Sequence, residues 1–200
     1  MPEPGGAVSS LEEFWKGLEA RGVEPDLAHT LEGRAGRAAR PIERVGDEAL
    51  VIAVASRSVP GAVPAAVLAA FLDEHFDAQL GRGDEKVGVM PRGELIPAGF
   101  RVLEDEARRR QGSSFADLPA ADQDRLLADA EAGRLEGPGG FDAGEWFRRV
   151  RDLLLLGYGS DPRGMVEMGF PGPSYAKGHV WLGEAEVARR AERAPGHEEL

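Results

Sequence analysis

The groups in this 200-residue chain whose types could do chemistry are few and scattered. The densest cluster is Asp73, Glu74, His75 and Asp77. A metal site needs such side chains on one face. A helix over these residues instead puts His75 on the apolar stripe formed by Leu68, Phe71, Leu72 and Phe76. That spacing predicts a hydrogen-bonded core or interface histidine, with the neighbouring acids as solvated surface. His29, His179 and His197 share no ligand spacing with it or with each other. Ser113 and Ser114 lack the strand–turn–helix setting of a nucleophile elbow. Gly137-Pro-Gly-Gly140 has no strand before it and no Lys-Ser/Thr after it, so it is not a phosphate cradle. Arg82-Gly-Asp84 reads as a turn. Arg108, Arg109 and Arg110 end a helix, where cations face the negative end of the dipole. The paired acids Glu104 and Asp105 read as a solvated helical face. No catalytic, cofactor-binding or metal-ligating set emerges from these residues.

Composition narrows the classes further. The chain has no cysteine, which excludes iron–sulfur ligation, a Cys₄ zinc site and a thiol nucleophile on this chain. With 24 basic and 35 acidic residues the net charge is −11, and the basic footprint of a nucleic-acid binder is missing. The longest apolar run near the start, residues 49–55, is far short of the ~20 residues of a membrane span. The opening residues carry neither a positive n-region with an apolar core nor a twin-arginine pair. The expectation is a cytoplasmic protein, periplasmic only if a partner carries an export signal.

The elements that would position these groups are helices. Ser10-Leu-Glu-Glu13 is a capping box ahead of Leu11, Phe14, Trp15 and Leu18, and Gly22 is a stop. From Gly22 to Gly46 the pattern dissolves into Gly, Ala, Arg and Pro and reads as a linker or arm. Residues 47–58 favour a helix over a buried strand because they are Ala-rich and no β partner is apparent. Pro64 opens a helix to Leu80. Further helices are predicted over residues 96–110, 118–132 and 145–156, and a frayed polar one over 184–193. No hairpin signal appears. The fold class is all-α: an irregular bundle of five to six helices with a long Gly/Pro-rich apolar C-terminal loop. Residues 1–46 form an N-terminal helix and arm, 47–182 the helical domain, and 183–200 a polar tail.

That loop, residues 157–183, has seven glycines and three prolines, yet carries Tyr158, Met165, Met168, Phe170, Tyr175 and Trp181. Disordered segments are poor in aromatics. An apolar loop of this length therefore lies against something, either its own core or another protein.

Several stretches resemble the gluconate 2-dehydrogenase subunit 3 family. They are Ala98-Gly-Phe-Arg-Val-Leu-Glu-Asp-Glu-Ala107, Phe115-Ala-Asp-Leu-Pro119, Asp122-Gln-Asp-Arg-Leu-Leu127 and Glu131-Ala-Gly133. Trp146 to Tyr158, Ser160-Asp-Pro162 and Met168-Gly-Phe-Pro-Gly-Pro173 complete the set. The resemblance spans residues 47–182 and rests on order and spacing rather than on one motif. It implies a small, helical, cofactor-free subunit that binds a large FAD-dependent oxidoreductase of the glucose–methanol–choline type and assists its folding or export. The partner would then hold the FAD, and this chain would be an accessory subunit rather than an enzyme. Phe147, Arg151 and Tyr158 are expected to anchor the loop, and Asp161 to cap or turn it. The partner interface is expected to include Tyr158, Asp161, Met168, Phe170, Pro171, Pro173, Tyr175 and Trp181. An alternative is that His179, Arg163 or Tyr175 is lent to the partner's substrate pocket. Another is that the chain escorts its partner in export, although its first 46 residues depart from the family pattern and lack the family's twin-arginine signal.

Overall fold

The computed structural model describes residues 10–36, 40–77 and 90–170. The described residues form eight α-helices and one short 3₁₀ turn, with no strand among them. The expected all-α irregular bundle is what the described residues form.

Helix α1 (Leu11–Ala20) begins where Ser10 Oγ accepts the Glu13 N–H at 3.2 Å, and it buries Phe14 and Leu18. Helix α2 (Pro25–Ala35) occupies the stretch that reads as linker or arm. It has Pro25 in its first turn and only Leu31 buried, so the usual apolar stripe is absent and packing, rather than pattern, makes it a helix. Helix α3 (Glu48–Ser58) resolves the strand-or-helix ambiguity as helix. Asp47 caps it, and Leu50, Val51, Val54 and Ala55 are buried. Helix α4 (Ala65–His75) follows, its apolar side buried from Val67 to Leu72. Helix α5 (Arg92–Gln111) starts four residues earlier than the spacing predicts and ends at Gly112. A 3₁₀ turn (Phe115–Asp117) leads into α6 (Ala120–Glu131). Helix α7 (Ala143–Ser160) is followed by the short α8 (Pro162–Glu167), so the expected loop opens with helix. Beyond Phe170 the loop and tail lie outside the described residues.

Helix α7 is the hub of the main core, packing on α4, α5 and α6. Its Trp146 is fully buried. Phe100 meets the indole edge-on at 5.4 Å, and the Trp146 Nε1–H donates to the Ile96 carbonyl at 3.1 Å. The slot for this ring exists because residue 99 is glycine: a Cβ there would lie under 3.0 Å from three indole atoms. A second, smaller core consists of Phe14, Leu18, Leu31 and Met165. Here α1 and α2 each pack on α8.

Polar ties cross the bundle as well. Three acids on α6 take arginines from three other helices: Asp124 from Arg57, Asp129 from Arg110, and Glu131 from Arg151. Asp73 corrects the expectation of solvated acids beside His75. It is 7% exposed, and its carboxylate accepts the backbone N–H groups of Glu43, Arg44 and Val45 at 3.2, 2.8 and 2.8 Å. It clamps the segment before α3 onto α4. His75 is half-buried, stacked on Phe71 at 4.1 Å, with Nδ1 2.9 Å from the Phe71 carbonyl oxygen. Glu104 is likewise occupied rather than merely solvated, since it accepts the Phe115 N–H at 3.0 Å and pairs with Arg108.

Candidate docking site

Among the described residues, the exposed large apolar side chains lie near the end of α7 and just after α8. Leu155 and Leu156 are each 50% exposed, Met168 58% and Phe170 43%. Leu155 and Leu156 precede Gly159 by four and three residues, so they stand one turn above it on the same side of α7. The Met168 methyl lies 3.8 Å from the position a Gly159 Cβ would take. Met168 thus lies beside the last turn of α7, one turn from Leu155 and Leu156, and these three with the exposed Phe170 two residues on form the candidate apolar strip. Exposed apolar side chains gathered on a surface make a candidate contact for a protein or ligand.

The strip is held in place by local geometry. Helix α8 ends in a paired hydrogen-bond motif: the Phe170 N–H donates to the Met165 carbonyl at 2.8 Å, and the Gly169 N–H to the Val166 carbonyl at 2.9 Å. Gly169 takes φ +69°, the left-handed conformation this ending requires. Phe170 is therefore placed by backbone bonds, not by burial of its ring.

At the other end of α8, Asp161 is 4% exposed. Its carboxylate accepts the Arg163 N–H at 2.9 Å and the Arg163 guanidinium at 2.8 and 2.7 Å. The same ion pair pushes the Arg163 pKa up. Between these ends, the Tyr158 hydroxyl donates to Glu167, whose carboxylate also accepts the Ala62 N–H at 2.6 Å. Burial, then the Glu167 carboxylate, push the Tyr158 hydroxyl up; the Tyr158 and Ala62 donors hold Glu167 down. This clasp ties the turn between α3 and α4 to α8.

The expected site residues separate into distinct places. Met168 and Phe170 are on the exposed strip. Tyr158 and Asp161 are buried, and they hold α8 through Glu167 and through its cap. Phe147 is buried in the main core, with the Arg151 guanidinium 5.7 Å from its ring centre. Arg151 reaches Glu131 of α6 at 2.8 Å. Arg163 is engaged by Asp161 rather than held ready for a substrate. Pro171, Pro173, Tyr175, His179 and Trp181 lie outside the described residues.

Sequence reasoning missed Leu155, Leu156 and Glu167. The two leucines had a signal. A helix passing through Leu153-Leu-Leu-Leu156 cannot turn four consecutive positions inward, so part of that run must face out. Glu167 had none, because its partners, a tyrosine nine positions back and a backbone N–H across the bundle, share no spacing with it.

Among the described residues no group of three or more His, Asp or Glu is placed to hold a metal, and no helix is long and apolar enough to cross a membrane. The described residues thus define a helical protein with four large apolar side chains exposed. Its relatives name it more closely. The profile of the gluconate 2-dehydrogenase subunit 3 family matches residues 47–172, and the chain belongs to that family. Its members are, by that name, subunits of a dehydrogenase complex. No curated protein and no solved structure matches the chain.

Proposed function

We propose that this chain is the small accessory subunit of an FAD-dependent sugar or sugar-acid dehydrogenase of the glucose–methanol–choline type. It binds and stabilises the large subunit during folding or maturation and supplies no catalytic group. The observation that carries this reading is the exposure of Leu155, Leu156, Met168 and Phe170, all inside the family-matched region. Covering such side chains with a partner removes apolar area from water at roughly 25 cal/mol per Å². That stabilises an assembly without any chemistry on this chain.

The described residues also suit a division of labour. In this reading the flavin belongs to the larger chain, and the helices of this chain offer it a packing surface. The flavin supplies the redox step there, while Leu155, Leu156, Met168 and Phe170 of this chain supply contact area.

Co-expression tests the reading. The large subunit is produced with and without this chain, and soluble yield, bound-flavin absorbance and turnover are measured. All three should depend on this chain. A large subunit that is soluble, fully flavin-loaded and active alone would remove the proposal.

A further inference from the structure

The small core formed by α1, α2 and α8 lies beside the docking strip but is not part of it. Met165 is 9% exposed and shares that core with Phe14, Leu18 and Leu31, while Trp15, Val23, Leu27 and Val166 pack around it. Met165 and Val166 therefore have two tasks. Their side chains sit against the N-terminal helices, and their carbonyls receive the Phe170 and Gly169 N–H groups that set the direction of the docking turn.

A helix of six residues does not hold its shape unaided. Helix α8 has polar ties at Asp161 and Glu167, but the apolar cover of Met165 comes from residues 10–36. Those residues precede the family-matched region, which begins at residue 47.

We infer that the α1–α2 pair is a brace: Phe14, Leu18 and Leu31 are positioning residues that hold α8 so that Met168 and Phe170 face the partner. This rests on the docking role proposed above. Without the brace, Met165 and Val166 face water. The turn at Gly169 then exchanges among conformations, and the large subunit must select the competent one at the expense of affinity.

The test uses the full chain with Leu18→Asp and Leu31→Asp together, and separately the milder Phe14→Ala. Amide hydrogen exchange, read by mass spectrometry on the free subunit, compares residues 161–170 with residues 143–157. Loss of buried side-chain packing of this size should speed exchange in 161–170 by about tenfold or more, with 143–157 unchanged. Capture of the flavin-loaded large subunit should weaken by a similar factor. Unchanged exchange in 161–170, or an equal rise in both segments, would overturn the brace. If the double variant does not fold, Phe14→Ala alone decides by the same criteria. Should the wild-type chain capture no large subunit, the docking role fails, and the exchange data still judge whether α1 and α2 hold α8.

Discussion

Replacing Gly99 by alanine isolates the fit on which the main core depends. Position 99 lies inside the 20-residue α5, where alanine is ordinarily favoured over glycine by about 1 kcal/mol. Here the sign reverses. The added methyl would stand under 3.0 Å from three atoms of the Trp146 indole, a ring with no exposed surface. The indole has little room to retreat, with Phe100 on its edge and its N–H committed to the Ile96 carbonyl. Overpacking of this kind costs about 1–3 kcal/mol, and a strained indole hydrogen bond about 1 kcal/mol more. Set against the helix-propensity gain, Gly99→Ala should destabilise the fold by about 2 kcal/mol, or about 4–8 °C in Tm for a chain of this size. Gly17 in α1 is the control, because nothing lies within 4 Å of its Cβ position. Gly17→Ala should stabilise by up to about 1 kcal/mol. Urea denaturation of both variants checks the pair. A Gly99→Ala protein as stable as wild type would refute the close-packed slot.

Three other outcomes follow from the contacts described. Asp73→Ala removes the acceptor for three backbone N–H groups and should cost about 3 kcal/mol, whereas Asp73→Asn, which keeps one carbonyl oxygen, should cost less; denaturation midpoints separate them. Hydrogen bonds from Arg148, and then Arg149, hold the Glu145 carboxyl at about 2, below its ordinary 4.5. Its folded pKa is depressed, so its contribution of about 2–3 kcal/mol is complete above about pH 4.5 and lost as pH falls through about 2; the stability gap between wild type and Glu145→Gln should close over that interval. Leu155→Gln with Leu156→Gln should change stability by no more than about 0.5 kcal/mol, since both side chains are already half in water, yet abolish capture of the large subunit in a pull-down.

Much of this architecture is legible in the letters. The cap at Ser10, the helical preference of residues 47–58 and the stop at Gly112 depend on neighbours within a few positions, and local chemistry decides them. Helices α2 and α8 escaped for opposite reasons. Helix α2 has almost no apolar face, so its helicity depends on a partner over 100 residues away in sequence. Helix α8 did carry a signal, an aspartate followed by proline at the first helical position, but the surrounding glycines masked it. Asp73 was misjudged because its partners are backbone N–H groups, which side-chain patterning does not record. Within the docking strip, Met168 and Phe170 stood out as apolar residues in a glycine-rich stretch. Their placement by the Met165 and Val166 carbonyls could be known only from the folded chain.

Asp161 closes α7, its N–H bonded to the Tyr158 carbonyl at 3.2 Å, and also opens α8. The two helices share this residue and have no linker. One inserted residue at that joint would separate the two caps that Asp161 now supplies and change where α8 lies against α7. Met165 would leave its pocket and Phe170 would point elsewhere. An insertion or deletion between Tyr158 and Phe170 should therefore be tolerated poorly. The coil between α6 and α7 has no such shared residue, and its exposed stretch after the buried Leu135 can change length more freely. At this joint the number of residues matters as much as their identity.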